Sequence, residues 1–212
     1  MNGVDFPIPV VQRELVPEGT HLAICVQLID IGTQTMTWKE RTDSVRRVRL
    51  GFEIPDILRE WHDDETGEDV KIPALLGREV SLTLGKKSAL RKEILKPWGL
   101  ISEVDGGAGL GIVLGLPALI TVSHEEKDER MYDNIVAISS LPAGMTAPSP
   151  SRDPVLFHMG DTKNPTIDRT IFDELPEWIQ ERIMKSDEYR QVALGQVKTE
   201  TELDKDLGEI GL

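Results

Sequence analysis

Alternation of apolar and polar residues limits this chain, more than any other feature, to a β-sheet fold. The clearest example covers residues 44–54, where Val48, Leu50, Phe52 and Ile54 fall on one face. Successive side chains of a strand point to opposite faces, so a period of two is typical of a strand with one side buried. The pattern therefore predicts a mainly β protein.

Five stretches of this kind are predicted as strands, and one helical pattern interrupts them. The strands cover residues 20–30, 44–54, 79–84, 117–124 and 134–141. Between the third and the fourth, Ser88 is a candidate N-cap for a helix that continues to Trp98. Phe52 and Trp98 fall on apolar faces and are predicted to be core. A short helix-like piece is also predicted from Pro55 to Trp61. The order β-β-β-α-β-β is that of the five-stranded oligonucleotide-binding (OB) barrel, so an OB-type barrel with one inserted helix is predicted.

Composition divides the chain into four predicted parts. Residues 1–18 form an N-terminal arm, and residues 19–142 form the barrel domain. Residues 143–198 begin as a linker rich in Pro and Ser, which an amphipathic helix over residues 172–186 follows. Residues 199–212 carry five acidic side chains and one basic one. They are too polar to build a core, so a disordered acidic tail is predicted.

Several functional classes are excluded by what the chain lacks. The longest apolar run is interrupted by Gly111, Gly115 and Pro117, and the N-terminus has no signal-peptide pattern, so we expect a cytoplasmic protein without membrane contact. Cys25, the only cysteine, is predicted to be a buried packing residue. The four histidines have no metal-ligand spacing, and no nucleophile with a base can be assigned. We therefore expect no enzyme activity, no metal and no cofactor.

Charge is distributed unevenly along a chain whose net charge is −13. Residues 39–49 carry five basic and two acidic side chains, and residues 78–98 carry six and two. A local excess of cations on an acidic protein is the electrostatic footprint of a nucleic-acid site. The sequence therefore predicts a phosphate-binding surface on the barrel domain and a repelling charge at the C-terminal end.

Ten residues are predicted to bind single-stranded DNA, because phosphates need cations and bases need aromatic faces. They are Trp38, Lys39, Arg41, Arg47, Arg49, Lys86, Lys87, Arg91, Lys92 and Tyr132. Other interpretations stay open for several of them. Arg47 and Arg49 can be neutralised by nearby acids, Trp38 can be half-buried, and Tyr132 can pack against its own loop.

Several fragments resemble phage-encoded single-stranded DNA-binding proteins. The resemblance is carried by residues 26–34, Trp38, residues 46–53, 118–124, 132–139 and 175–180. It implies an OB-fold protein that coats DNA strands during replication or recombination, in the host cytoplasm if the protein is phage-encoded. Partner identity does not follow from the resemblance, because relatives differ in the charge and spacing of the tail.

The acidic tail has a predicted role in partner binding. Asp206, Leu207, Ile210 and Leu212 combine charge with apolar side chains that can dock on replication or recombination proteins. The tail acids can also occupy the basic surface when no strand is bound, or serve only to keep the chain in solution. Two other functions stay open, namely a phage regulatory protein that binds a host protein, with DNA mimicry as one way of binding, and a metal-dependent nuclease accessory. The oligomeric state is also open, a homo-oligomer included.

Overall fold

Five antiparallel strands form one sheet in the order β3-β2-β1-β4-β5. They are β1 (Gly19–Trp38), β2 (Arg41–Asp63), β3 (Glu68–Ser81), β4 (Pro117–Lys127) and β5 (Arg130–Ser139). These strands come from a computed structural model that describes residues 14–39, 41–63 and 67–195. For Trp38, Arg41, His62 and Asp63 it describes the backbone alone. The predicted mainly β fold class is confirmed.

The sheet curls, so that its two end strands approach each other. Register shifts interrupt β1 between Cys25 and Gln27 and again between Asp30 and Gly32. Such bulges bend a strand and increase its twist. As a result β3 comes close to β5, where an Arg78 guanidinium N–H donates to the Val136 carbonyl oxygen at 3.4 Å. The sheet therefore forms a half-barrel with a concave inner face.

The inner face of the curl holds the larger apolar core. The alternating residues of β2, Val48, Leu50, Phe52 and Ile54, are all buried there. Phe52 packs against Trp98 with a ring-centroid distance of 5.7 Å, and both side chains were predicted to be core. Cys25 is fully buried in the same cluster, as predicted. The period of two therefore gave the inward face of β2 correctly.

A helical connection between β3 and β4 closes one end of this core. It contains a π-helical stretch (Leu90–Leu95) that continues into α1 (Lys96–Trp98), then α2 (Ile101–Asp105) and a 3-10 turn (Leu110–Val113). The Ser88 hydroxyl accepts a hydrogen bond from the Arg91 backbone N–H at 3.2 Å. The helix that the sequence predicts between the third and fourth strands is thus present, although its first part has π geometry.

The predicted helix-like piece from Pro55 to Trp61 is wrong. Strand β2 continues through this stretch after an irregularity between Ile54 and Leu58. Residues 59–63 pair with residues 68–72 of β3, so the two strands extend as a long hairpin. Cross-strand hydrogen bonding with β3 outweighs the local helical pattern here. Most of β3 was also missed, since the sequence predicted a strand over residues 79–84 only.

The chain then returns to β1. Strand β6 (Val155–Phe157) pairs with β1 in parallel, opposite residues 27–29. Helices α3 (Arg169–Glu174) and α4 (Glu177–Met184) follow, and residues 187–195 are helical as well. In the described part of the chain, no helix has the length and apolar character that a membrane span requires.

The single helix predicted over residues 172–186 is wrong, because two helices occupy this region. Helix α3 ends before Leu175, whose ψ of 147° is extended. A proline disfavours the helical conformation of the residue before it, and Pro176 occupies that position. The Asp168 carboxylate caps α3 by accepting hydrogen bonds from Thr170 and Ile171.

Residues 151–195 form what we call the C-terminal cover. Its helices bury a second apolar cluster against Ile29 and Ile31 on the outer face of β1. The members of this cluster from the cover are Phe157, Met159, Phe172, Leu175, Ile179 and Ile183. Gly32 permits the close approach, since it has a φ of 74° and an added Cβ would lie 2.5 Å from the Ser186 Cβ. The outer face of β1 is therefore buried by the chain itself.

Candidate nucleic-acid interface

The two arginines of β2 predicted to bind phosphates are engaged within the chain. Arg47 Nε lies 3.4 Å from a carboxylate oxygen of Glu79 on β3. Arg182 of the C-terminal cover reaches the same oxygen at 2.9 Å. The Arg49 guanidinium carbon lies 4.8 Å from the centre of the Trp178 ring, a cation–π distance. Both arginines are therefore engaged within the chain, and their binding to DNA stays a prediction.

The cover is fixed to the sheet by two buried carboxylates. Asp30 forms an ion pair with Arg46, which also donates to the Gly160 carbonyl at 2.7 Å. The Asp30 hydrogen bond raises the pKa of Arg46 above its usual value. Glu53 accepts hydrogen bonds from Ser151 and Arg152, including the Ser151 N–H at 2.7 Å. Because both carboxylates are almost fully buried and paired, the cover is an integral part of the fold.

The β1–β2 hairpin places three predicted residues at its tip. Trp38 pairs with Arg41 at the end of the ladder, and Lys39 forms the turn with a φ of 55°. Lys39 is exposed. The side chains of Trp38 and Arg41 lie outside the described part of the structure, so their roles stay predictions.

Four cationic side chains meet at a cavity of about 630 Å³ on the helical connection. Lys86, Arg91, Lys92 and Lys96 line this lysine cavity, with Gly99, Ile101 and Ser102 completing its wall. The structure therefore brings together three of the predicted DNA-binding residues, Lys86, Arg91 and Lys92. The fourth predicted cation of this segment, Lys87, is exposed in the same turn but does not line the cavity.

The acidic side chains near the cavity pair with arginines and not with the three lysines of the cavity. Glu93 pairs with Arg78, and Asp105 holds Arg91 through two hydrogen bonds of 2.6 and 2.7 Å. The Arg91 guanidinium lowers the pKa of Asp105, and Asp105 raises the pKa of Arg91. In the part of the chain that the structure describes, no carboxylate forms an ion pair with Lys86, Lys92 or Lys96. Their ammonium groups therefore line an open cavity without an ion-pair partner among the described residues.

Lys96 is the site residue that sequence reasoning missed. It contributes to the basic excess of residues 78–98 but was not singled out. A signal was present, because Lys92 and Lys96 are four residues apart and positions at this spacing share a helix face.

An apolar groove of about 460 Å³ lies between the sheet, the helical connection and the C-terminal cover. It is bounded mainly by leucines, with Asp30 and His158 as polar members. Leu84 and Leu156 line it and are each 47% exposed.

Tyr132 lies away from the lysine cavity. It is half exposed on β5, where it pairs with Glu125 near the end of the β4–β5 hairpin. The exposed acids Glu125, Glu126 and Glu129 surround that end of the sheet. The structure thus separates Tyr132 from the cations with which it was predicted to act.

The remaining sequence predictions concern residues that the structure does not describe. Asp206, Leu207, Ile210 and Leu212 of the tail lie outside the described residues, as does most of the arm over residues 1–18. Among the described residues, no group of three or more His, Cys, Asp or Glu side chains is placed to hold a metal ion.

Comparisons of the chain with models of protein families, with curated proteins and with solved structures give no match. Function is therefore inferred from the geometry of the lysine cavity and of the sheet.

Proposed function

We propose that this protein binds single-stranded DNA through the lysine cavity, on a barrel of the OB type. Support for the barrel type comes from the strand order, from the approach of β3 to β5 and from the helical connection between β3 and β4. An OB barrel is a five-stranded, partly open barrel that binds oligonucleotides. Residues 19–142 would then form the binding domain.

The observation that carries the proposal is the set of unneutralised lysines at the cavity. A phosphate group gains most from a cation that has no competing carboxylate, because binding then releases counterions without breaking an ion pair. Lys86, Lys92 and Lys96 meet this condition, and Arg91 adds a guanidinium held in place by Asp105. The exposed Lys87 extends the cationic surface along the same turn. The binding would be tolerant of sequence, since these groups contact phosphates rather than base edges.

The test is a titration of the full chain with fluorescently labelled oligo-dT at several salt concentrations. We expect the triple variant Lys86→Ala, Lys92→Ala, Lys96→Ala to bind more weakly. We also expect the slope of log affinity against log salt to fall by about 2, because each phosphate contact on a single strand contributes roughly 0.7. The matched control replaces three exposed lysines elsewhere, Lys71, Lys163 and Lys185, with Ala.

Two outcomes would contradict the proposal. Oligo-dT that fails to bind at low salt would exclude strand binding by this protein. Equal losses in the two triple variants would show that net charge, and not the lysine cavity, governs affinity. A loss confined to the cavity variant supports the proposal.

The cellular role that we propose is the coating and protection of strands during phage replication or recombination. Its support is the local excess of positive charge on a chain that is otherwise acidic. Recruitment of replication or recombination proteins through Asp206, Leu207, Ile210 and Leu212 is part of the same proposal. So is the cytoplasmic location.

A second candidate function is the binding of a protein partner by the β2–β3 hairpin. Trp61 is 60% exposed there, and Val70, its cross-strand neighbour, is also exposed. Exposed Trp side chains are enriched at protein interfaces. Glu60, Glu68 and Asp69 make the surrounding surface acidic. A basic partner protein fits this surface, and it would bind whether or not oligo-dT binds to the lysine cavity.

A further inference from the structure

The β2–β3 and β4–β5 hairpins lie at the same end of the sheet, where an ion pair joins them. Arg59 of β2 contacts a carboxylate oxygen of Asp133 on β5 at 3.4 Å. Strands β2 and β5 run in opposite directions, because three antiparallel pairings connect them through β1 and β4. Counting up from Arg59 and down from Asp133 therefore leads toward the same end of the molecule.

Three exposed apolar side chains lie beyond this ion pair. Residues two apart on a strand share a face and are separated by about 7 Å. Trp61 is thus one such step beyond Arg59, and Val70 lies directly opposite Trp61 in the ladder. Met131 is one step beyond Asp133. Trp61 is 60% exposed, Met131 48% and Val70 36%, and we call the three the apolar patch.

The chain enters the fold beside the apolar patch. The Val16 N–H donates at 3.0 Å to the same Asp133 oxygen that Arg59 contacts. The Val16 carbonyl oxygen lies 2.8 Å from His124 Nε2, and the Val16 side chain is fully buried. Because both backbone groups of Val16 are held, the chain that precedes it starts next to the Arg59–Asp133 pair.

We propose that residues 1–13 of the same chain bind the apolar patch. Their sequence alternates between apolar residues and residues of other kinds. The apolar members are Val4, Phe6, Ile8 and Val10, and Asp5, Pro7 and Pro9 separate them. Proline fixes its own φ and disfavours a helical conformation of the residue before it. The sequence therefore predicts an extended segment that presents four apolar side chains on one side.

The segment is long enough to reach the patch. Val10 is six residues from Val16, and Phe6 is ten, so they can lie up to about 20 Å and 35 Å away. The patch begins one strand step beyond the ion pair at which Val16 is held. A tethered segment has a high effective concentration, which favours it over a separate molecule of similar chemistry. Binding would remove apolar surface of both parts from water.

This inference is independent of the proposed binding of DNA, because the apolar patch shares no residue with the lysine cavity. It does bear on the second candidate function. Trp61 belongs to the surface on which a basic partner protein is proposed to bind. The N-terminal segment and such a partner would therefore compete for the β2–β3 hairpin.

The experiment places a nitroxide on the N-terminal segment and observes the tryptophan signals by NMR. Asp5→Cys supplies the attachment point outside the apolar alternation, and the fully buried Cys25 stays unlabelled. Tryptophan labelled with ¹⁵N gives one indole N–H signal for each of the four side chains, and Trp61→Phe identifies that of Trp61. We expect the Trp61 signal to lose most of its intensity. Trp178 should keep its signal, because it contacts Arg49, twelve residues from Trp61 along β2.

Substitutions in the nitroxide-labelled chain test which side chains make the contact. Phe6→Ser with Ile8→Ser should restore most of the Trp61 intensity, because two apolar members of the alternation are lost. Val10→Ser and Val11→Ser form a matched pair, since only Val10 belongs to the alternation. We expect Val10→Ser to restore more intensity than Val11→Ser. Equal recovery in these two variants would contradict binding through the alternating side chains.

A mixed sample shows whether the segment binds its own chain. It combines nitroxide-labelled chains without ¹⁵N and ¹⁵N-labelled chains without nitroxide. An undiminished Trp61 signal in this sample supports binding within one chain. An equal loss of intensity would assign the patch to the segment of a second copy and overturn the inference.

The result is also distinguishable from that of the DNA titration. A Trp61 signal that the nitroxide leaves unchanged in the doubly labelled chain would overturn the inference outright. Because the sample contains no DNA, that outcome would leave the proposed function untouched. Failure of oligo-dT to bind would likewise leave the binding of residues 1–13 to the apolar patch untouched.

Discussion

Burial makes the thiol of Cys25 unreactive in the native protein. Its side chain is fully buried, and this burial raises the pKa of the thiol to about 12. The nucleophile in thiol chemistry is the thiolate, which is then almost absent near neutral pH. We expect an aromatic disulfide reagent at about pH 8 to modify Cys25 only as fast as the protein unfolds.

The measurement is the rate at which the aromatic thiol of the reagent is released, with and without denaturant. The unfolded chain should react at once, because a free cysteine has a pKa near 8.5. Fast release from the native protein would show that Cys25 is accessible and that the inner core opens readily.

The basic residues of this molecule have different environments, and the environment of each decides whether its charge is available to a phosphate. Arg47 and Arg49 share a strand face in the sequence pattern, but Glu79 and Trp178 engage them. Lys86 and Lys92 sit at the start of a helical segment, where the sequence gives only a local excess of charge. The structure shows that arginines take up the acids of this segment. Such pairing depends on residues that are far apart in sequence, for example Arg78 and Glu93.

At the level of elements, α4 gives the neighbouring residues Trp178 and Ile179 different environments. Ile179 is 1% exposed in the second cluster, whereas Trp178 is half exposed above Arg49. We expect Ile179→Ala to lower the free energy of unfolding by about 2–5 kcal/mol, as buried aliphatic truncations do. Trp178→Ala should cost about 1 kcal/mol or less, mainly the cation–π contact.

Urea denaturation followed by circular dichroism measures both values. The two variants test burial and not size, because Trp178 is the larger side chain. Side-chain size alone would predict the larger loss of stability for Trp178→Ala. Similar losses for the two variants would contradict the described packing of α4 against β1.

The long β2–β3 hairpin shows the same competition between local and distant contacts. Local pattern favoured a helix-like piece from Pro55 to Trp61, yet 14 residues of β2 find partners on β3. A ladder of this length supplies backbone hydrogen bonds that a short helix cannot match. No window of the sequence contains this information, since each strand needs the other.

At the scale of the whole molecule, the C-terminal cover packs against the barrel domain and buries the outer face of β1. Removing residues 141–212 would expose Ile29 and Ile31 and leave Asp30 and Glu53 buried with fewer partners. We expect the truncated chain to unfold at a midpoint at least 10 °C lower or to aggregate, since one kcal/mol shifts the midpoint of a domain of this size by roughly 2–8 °C.

Thermal unfolding of the two chains is the measurement, with removal of residues 199–212 alone as the control. That shorter deletion leaves every described contact in place, so its midpoint should not change. A stable 1–140 fragment would instead support the domain boundary near residue 142 that composition predicts, and would make the cover dispensable.

The sequence by itself determined the mainly β class, the inward face of β2, the core positions of Phe52, Trp98 and Cys25, and the basic segment that includes Lys86 and Lys92. These features depend on periodicity and local composition, which a single window contains. Tertiary structure alone decided the lengths of the strands, the division of the C-terminal helix, the burial of the outer face of β1 and the engagement of Arg47 and Arg49. Each of these depends on contacts between distant parts of the chain, because hydrogen-bond partners, counter-charges and apolar neighbours are assigned only when the sheet curls and the cover packs upon it.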